Sequence, residues 1–232
     1  MTNIRLVTFD LDDTLWEIAP VIRGAEAILR NWLNRNATRL GDFPVDALAA
    51  IRRMLVEAEP SLKHRISELR RRILLHALQD AGYSQAEADE LGEQAFQVYL
   101  EARHAVQLFP DVVPTLEHLA NHYTLGVLTN GNADVRRLGL ADYFQFTLCA
   151  EELGVGKPDP QPFCEALRRA NVSAEQAVHV GDHPGDDIAG AQRAGMRAVW
   201  FNPAGLEWDH DGAPDAQVRR LRELPALLAG WR

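Results

Sequence analysis

The sequence contains few cysteines and lacks a long apolar run. Cys149 and Cys164 are its only cysteines, and no C-x-x-C pair occurs among the 232 residues, so we do not expect a disulfide scaffold. No uncharged stretch approaches the ~20 residues that span a bilayer. The apolar stretch before Asp10 is too short for a secretory signal. We therefore expect a soluble, cytoplasmic protein that has no membrane partner.

Positive charge is also in short supply. The formal net charge is -9, which argues against a nucleic-acid partner because binding to the phosphate backbone needs a basic face. A small phosphorylated metabolite is not excluded if a metal ion and a few local cations offset the repulsion. Hydrophobic residues make up 47% of the chain, which is ordinary for a globular protein with a sizeable core.

A long segment from about Val21 to Val106 has helical patterning and almost no strand signal. One apolar helix face is predicted from residues at steps of three and four, namely Leu62, Ile66, Leu69, Ile73 and Ala77. Gly82 is typical of a helix end. Ser84 is then the expected N-cap of the next helix, with Glu87 as its capping-box partner.

Strands and helices alternate outside this segment. The predicted strands are Ile4–Phe9, Thr124–Thr129, Phe146–Ala150, Ala177–Val180 and Arg197–Phe201, and the predicted helices are Val113–Asn121, Phe163–Ala170 and Asp187–Ala194. The alternation indicates an α/β fold whose parallel sheet is covered on both faces. We assign residues 1–15 and 109–232 to this core and residues 16–108 to an inserted helical domain. The tail after Asn202 is expected to be irregular as far as Asp215 and then to form a short helix.

Two carboxylates follow the first predicted strand. If the chain stays extended from Asp10 to Asp12, both side chains lie on one face and Leu11 points away. This spacing suits a nucleophile and an acid/base: one carboxylate attacks phosphorus, and the other protonates the leaving oxygen and later deprotonates water.

Polar residues at later strand ends and in a loop complete the candidate site. Thr129 and the backbone N–H groups near Asn130 would bind a phosphoryl oxygen. Lys157 lies in the rigid loop Gly156–Pro160 and would neutralise the phosphoryl group and the nucleophile together. Asp182 follows another strand and would complete an oxygen-only cation site with Asp10.

Clustered carboxylates need a cation. Bringing Asp10, Asp12 and Asp182 together would cost on the order of several kcal/mol in repulsion and desolvation. A divalent cation that prefers oxygen ligands removes this cost, and Mg²⁺ is the usual one near phosphates. We therefore expect Mg²⁺ as the cofactor.

The order of these motifs resembles the haloacid dehalogenase superfamily. The matching positions are Asp10, Asp12 and Thr14, then Thr129, then Lys157 and Pro158, then Gly181, Asp182 and Asp187. The resemblance implies a Rossmann-like core with an inserted helical cap. It implies Asp10 as nucleophile and metal ligand, and Asp12 as acid/base and as a ligand through its carbonyl. It also implies Asp182 as a metal ligand and Asp187 as a support for the metal or its waters.

A narrower resemblance is to the phosphatases of riboflavin metabolism that act on flavin mononucleotide or on an aminouracil-ribityl phosphate. It is carried by DLDDTLWEIAPVI from Asp10, AEP from Ala58, LTNGNAD from Leu128 and HVGDHPGDDIAGAQRAGM from His179. Relatives of this kind act on varied sugar phosphates and nucleotides. The expected activity is therefore hydrolysis of a small phosphomonoester by a monomer or homodimer.

Several alternatives stay open. A dehalogenase or a phosphomutase would share the fold, and a receiver-like phosphoacceptor module would share acidic residues, a threonine and a Lys-Pro. Asp187 could be only an N-cap or could support the site. Asp186 is open to the same choice between a structural role and a role in the site. Trp16 would either stack on a flat substrate ring or pack at the hinge. Other polar residues are expected to be solvated: His183, the pair His118 and His122, and the basic insert residues Lys63, Arg65, Arg70, Arg71 and Arg72.

Overall fold

The structure is a computed structural model that describes residues 3–41 and 45–231. By internal packing the chain divides into two compact units. One unit comprises Met1–Glu17 and Gln107–Arg232, and the other comprises Ile18–Val106. The two segments that join them run side by side, because Phe109 N donates to Leu15 O at 2.9 Å.

A six-stranded parallel sheet forms the centre of the first unit. Its strands are β1 (Leu6–Phe9), β2 (Thr124–Thr129), β3 (Phe146–Cys149), β4 (Ala177–Gly181), β5 (Arg197–Phe201) and β6 (Ala216–Val218). Their order across the sheet is β3-β2-β1-β4-β5-β6. Strands β1, β2 and β4 are almost completely buried, as expected for parallel strands covered on both faces. The predicted Rossmann-like α/β fold is confirmed.

Strand predictions differ from the structure mainly at their ends. Residues 4 and 5 precede β1, and Ala150 begins a helix instead of ending β3. Strand β6 is not among the predicted strands. The expectation is an irregular tail as far as Asp215 followed directly by a short helix. Its three residues, Ala-Gln-Val, show no alternation long enough to indicate a strand. They pair with β5 at the sheet edge.

The described residues of this unit contain five α-helices, and one further segment winds more loosely than an α-helix. The helices are α5 (Val112–Ala120), α6 (Ala150–Leu153), α7 (Pro160–Ala170), α8 (Gly190–Arg193) and α9 (Leu224–Ala229). The predicted helix Asp187–Ala194 is wrong at its start, since a π-helical turn occupies Pro184–Ala189. Here His183 O accepts from Ile188 N, five residues on, at 3.3 Å. This wider turn carries Asp187 inward.

The second unit is entirely helical over its described residues. It contains α1 (Ile18–Asn36), α2 (Val45–Ala58), α3 (Ile66–Asp80) and α4 (Gln85–Arg103). Helices α1, α3 and α4 share a buried core that includes Leu29, Leu78 and Phe96. The predicted capping box is confirmed, because Ser84 and Glu87 bond each other reciprocally. Leu62 lies in a separate short 3₁₀ turn before α3.

The two cysteines are free thiols. Among the described residues, no helix combines the length and the apolar character that crossing a bilayer requires.

Candidate active site

The sheet order brings three strand ends together. Strands β2, β1 and β4 are neighbours, so the residues at their carboxyl ends share one edge of the sheet. These residues are Thr129, Asp10 and Asp182. In open α/β sheets, ligands bind at this edge.

A tight loop after β1 positions Asp10. Its backbone N–H donates to Val180 O of β4 at 2.9 Å, which continues the strand pairing to the nucleophile candidate. Leu15 N then donates to Leu11 O at 2.8 Å. Asp13 has a φ of 59°, in the left-handed region that non-glycine residues rarely adopt. The chain therefore turns sharply just after Asp12.

Lys157 joins two carboxylates. Its Nζ donates to Asp10 Oδ1 and to Asp187 Oδ1, at 2.6 Å each, and its side chain is only 3% exposed. Burial alone would lower the pKa of Lys157, but the charges of Asp10 and Asp187 raise it well above its usual range. Burial, with the charges of Asp187 and Asp182, raises the pKa of Asp10 well above its usual range although Lys157 lowers it. Lys157 is thus a buried permanent cation beside the candidate nucleophile.

Asp187 is surrounded by donors. Besides Lys157, its Oδ1 lies 3.0 Å from His179 Nε2, and its Oδ2 accepts from His183 N at 2.9 Å. Burial alone would raise the pKa of Asp187, but Lys157 and the bond with His179 hold it well below its usual range. A side chain at Gly181 would overlap the Asp187 carboxyl group, so only glycine allows this close approach.

The Asn130 side chain supports Lys157. Its amide donates to Lys157 O and accepts from Lys157 N, at 2.8 Å each, which fixes the backbone that carries the ammonium group. The Thr129 hydroxyl oxygen, which is buried, accepts from Gly131 N at 3.0 Å. This leaves the hydroxyl proton to donate elsewhere.

Asp182 shares a hydroxyl with the nucleophile candidate. Thr14 Oγ1 lies 3.3 Å from Asp182 Oδ1 and 3.5 Å from Asp10 Oδ2. Burial, and then the charge of Asp187, raises the pKa of Asp182 to about 6. Its backbone carbonyl accepts from Trp200 Nε1 at 2.8 Å, which ties the loop to β5.

Three carboxylates form a group that suits a cation. Asp10, Asp182 and Asp187 each offer an oxygen, and these oxygens lie within 4.8 Å of one another. Carboxylate oxygens are the ligands that hard divalent ions prefer. Burial, and after it the neighbouring carboxylates, raises the pKa values of Asp10 and Asp182, so a bound cation would favour their charged forms. The donor set therefore fits Mg²⁺.

Trp16 anchors Asp12. Its Nε1 donates to Asp12 Oδ1 at 2.9 Å, and its ring is fully buried. The packing interpretation of Trp16 is the one that agrees with this burial, since a ring with no exposed face has nothing to offer a substrate ring.

Sequence reasoning missed two residues beside this cluster. His179 and Thr8 are both buried, and His179 Nδ1 lies 2.9 Å from Thr8 Oγ1. The signal that could have found them was the presence of polar residues inside two apolar strands. Each such group needs a partner when it is buried.

Other candidate polar groups lie elsewhere. The His183 side chain is 62% exposed and its Nδ1 accepts from Asp186 N, so the solvated interpretation is confirmed. His118 on α5 and His122 just beyond the end of that helix are both exposed, and their rings stack on each other. Within the helical unit, four of the basic residues form salt bridges. Arg65 pairs with Glu59, Arg70 with Glu26, Arg71 with Glu93, and Arg72 with Glu59 and Glu68.

Known proteins match this chain over nearly its full length. A family model described as haloacid dehalogenase-like hydrolase matches residues 4–195. The chain is 34% identical to the 5-amino-6-(5-phospho-D-ribitylamino)uracil phosphatase YigB of Escherichia coli over 97% of each chain. It is 33% identical to a phosphoserine phosphatase of Thermus thermophilus, over 95% of this chain and 98% of the relative.

Solved structures agree in fold. A structure titled 2-haloacid dehalogenase, from Pseudomonas syringae pv. Tomato DC3000, is 65% identical and matches with a TM-score of 0.98, over 99% of this chain and 100% of that one. The putative HAD-hydrolase YfnB of Bacillus subtilis, bound to magnesium, is 26% identical with a TM-score of 0.67, over 98% and 99% of the two chains. The family resemblance predicted from the motifs is confirmed: the chain belongs to the haloacid dehalogenase-like hydrolases.

Proposed function

We propose that the protein is a Mg²⁺-dependent phosphatase that hydrolyses a small phosphomonoester through an aspartyl-phosphate on Asp10. The observation that carries this proposal is the group of carboxylate oxygens from Asp10, Asp182 and Asp187 within 4.8 Å, with Asp12 as a further carboxylate after β1. Displacing a halide from carbon requires neither a cation nor a second acid. Phosphoryl transfer uses both.

Each side chain has a role in this reaction. An Asp10 oxygen forms a bond to phosphorus while the ester P–O bond breaks, and Asp12 gives its proton to the leaving oxygen. Asp12 then takes a proton from the water that attacks phosphorus, which releases phosphate and restores the Asp10 carboxylate. The bond from Trp16 to Asp12 Oδ1 orients the acid/base.

Phosphoryl oxygens are bound by three donors. Lys157 Nζ already donates to two carboxylates, so its third N–H is the one that serves a phosphoryl oxygen. The Thr129 hydroxyl and the Asn130 backbone N–H, both at the end of β2, serve another. The Asn130 side chain acts indirectly, by fixing the Lys157 backbone.

Asp10 and Asp182 would hold the metal, and the family resemblance adds the backbone carbonyl of Asp12 as a further ligand. When bound, Mg²⁺ neutralises the cluster and polarises the phosphoryl group. Asp187 supports the site by holding Lys157. The helical unit Ile18–Val106 would serve as the substrate-selecting cap, as in the family.

The substrate class follows from the relatives. YigB and the Thermus protein bear the names of phosphatases of small phosphorylated metabolites. Flavin mononucleotide, a phosphoribitylaminouracil, a sugar phosphate or a nucleotide is the expected kind of substrate.

A second candidate is 2-haloacid dehalogenation, because the 65% identical neighbour carries that name. In that reaction Asp10 would attack carbon and release halide, which needs no proton from Asp12, and water would then hydrolyse the Asp10 ester to give the 2-hydroxy acid. The two candidates therefore differ at Asp12 and in their dependence on a cation.

One experiment separates them. Purified protein is incubated with a panel of phosphorylated metabolites and with 2-haloacids, with Mg²⁺ or with EDTA, while phosphate and halide are measured. We expect Mg²⁺-dependent phosphate release that Asp10→Asn and Asp12→Asn both abolish. The matched control Asp142→Asn, an exposed aspartate in a short turn before β3, should keep wild-type rates. Halide release without phosphate release, or normal turnover by Asp10→Asn, would overturn the proposal.

A further inference from the structure

His179 is a fully buried polar residue in the middle of β4. It pairs in register with Thr8 of β1, and its ring lies between Thr8 Oγ1 at 2.9 Å and Asp187 Oδ1 at 3.0 Å. The ring of Phe163 packs edge-on against it with centroids 5.3 Å apart. Both ring nitrogens therefore have a polar partner in an otherwise apolar layer.

The positions of the protons follow from the partners. Asp187 Oδ1 also accepts from Lys157, so this carboxylate is ionised and can only accept. His179 Nε2 must then be the donor toward Asp187. In a neutral ring, Nδ1 is consequently an acceptor, and the Thr8 hydroxyl donates a hydrogen bond to it.

The other arrangement satisfies fewer groups. Thr8 Oγ1 also lies 3.3 Å from Val178 O. If Thr8 donated to that carbonyl, His179 Nδ1 would have to donate to Thr8. A neutral ring would then have no proton on Nε2, and Nε2 and Asp187 Oδ1 would face each other as two acceptors. A ring cation would avoid this conflict, but burial and the nearby Lys157 charge disfavour it.

We propose that His179 is a positioning residue: through an Nε2–H bond it orients Asp187, and thereby Lys157, while Thr8 supports this tautomer by donating to Nδ1. The inference rests on the proposed phosphatase function for its kinetic consequences. Lys157 is shared between Asp187 and the nucleophile Asp10. If the Asp187 carboxylate turned away, the ammonium group would pair with Asp10 alone. The tighter ion pair would make the Asp10 carboxylate less available to attack phosphorus.

Substitutions at His179 separate the donor from the bulk of the ring. The amide nitrogen of glutamine reaches about as far as Nε2, whereas that of asparagine reaches only about as far as Nδ1. We expect His179→Asn to lower kcat by about 10- to 100-fold, the usual range for partners that orient a site from outside it. His179→Gln should recover most of that loss. A role in packing alone would give no such ranking.

A second pair tests the tautomer. Thr8→Val removes the hydroxyl and keeps the shape, while Thr8→Ser keeps the hydroxyl. We expect Thr8→Ser to retain more activity than Thr8→Val. As a matched control for packing, Phe163→Leu should lower thermal stability and leave kcat within about threefold.

Nitrogen NMR of the histidine rings gives a readout that does not depend on activity. In the wild-type protein at neutral pH we expect His179 to be neutral with its proton on Nε2, and we expect Thr8→Val to weaken this preference, because Asp187 still accepts from Nε2 while Nδ1 loses its donor. If the wild type releases no phosphate from any substrate, the proposed function fails while the ring spectrum still tests the hydrogen-bond chain. A proton on Nδ1, or equal kcat values for the His179→Asn and His179→Gln variants in an active enzyme, would overturn the positioning role.

Discussion

Replacing Lys157 by methionine should destabilise the protein strongly, since this cation separates two buried carboxylates. At the 4.8 Å limit between the oxygens of Asp10 and Asp187, unscreened repulsion is about 3.5 kcal/mol at an effective dielectric constant of 20. Removing one partner of a buried ion pair typically costs about 3–5 kcal/mol. We therefore expect the free energy of unfolding to fall by about 3–5 kcal/mol, and the melting temperature by roughly 6–20 °C.

The assay is urea unfolding at pH 8 in EDTA, followed by circular dichroism. The chain has two lysines, and Lys63→Met is the matched control, because Lys63 is exposed and its loss should cost less than about 0.5 kcal/mol. Adding Asp187→Asn to Lys157→Met should recover part of the loss, since one of the uncompensated charges is removed. A loss below about 1 kcal/mol for Lys157→Met would show that the two carboxylates do not depend on this ammonium group.

Three further predictions concern single sites. Gly181→Ala should displace Asp187, lower stability by about 1–3 kcal/mol and reduce activity, whereas Gly24→Ala, with open space around it, should be neutral or stabilising in the same melts. Without metal, Asp182 has a pKa raised to about 6, so its contribution to stability is complete below about pH 4 and is lost as the pH rises through 6. Between about pH 4 and pH 7 the free energy of unfolding of the wild type should fall by on the order of 2 kcal/mol relative to that of Asp182→Asn. The same pH dependence of unfolding free energy in both proteins would contradict this. Ser84→Ala should cost about 1 kcal/mol in urea unfolding through loss of the capping box, and an unchanged midpoint would contradict it.

The arrangement of the core could be predicted because its signals are local and repeated. Apolar runs such as Thr124–Thr129 and Arg197–Phe201 have the observed strand bounds, since buried parallel strands leave a continuous hydrophobic signature. Asp10 and Asp182 lie close together because each follows a strand of the sheet, but the third carboxylate of that group is Asp187 and not the expected Asp12.

What could not be predicted depends on contacts between distant residues. Strand β6 is defined by its pairing with β5 and carries no pattern of its own. The bracing of Lys157 by Asn130 joins two loops 27 residues apart in sequence. The wide turn of Pro184–Ala189 depends on a carbonyl that accepts from the fifth residue on, whereas the periodicity indicated only a helix.

The indole of Trp200 provides an optical reporter at the candidate metal centre. Its N–H is bonded to the main-chain carbonyl of Asp182, and Trp208 packs edge-on against the same ring, with centroids 5.0 Å apart. Reorganisation of the Asp182 loop on cation loading would change the polarity sensed by this fluorophore. Titration of the native protein with Mg²⁺ would then yield an emission change that Trp200→Phe removes, so cation affinity becomes measurable without any substrate.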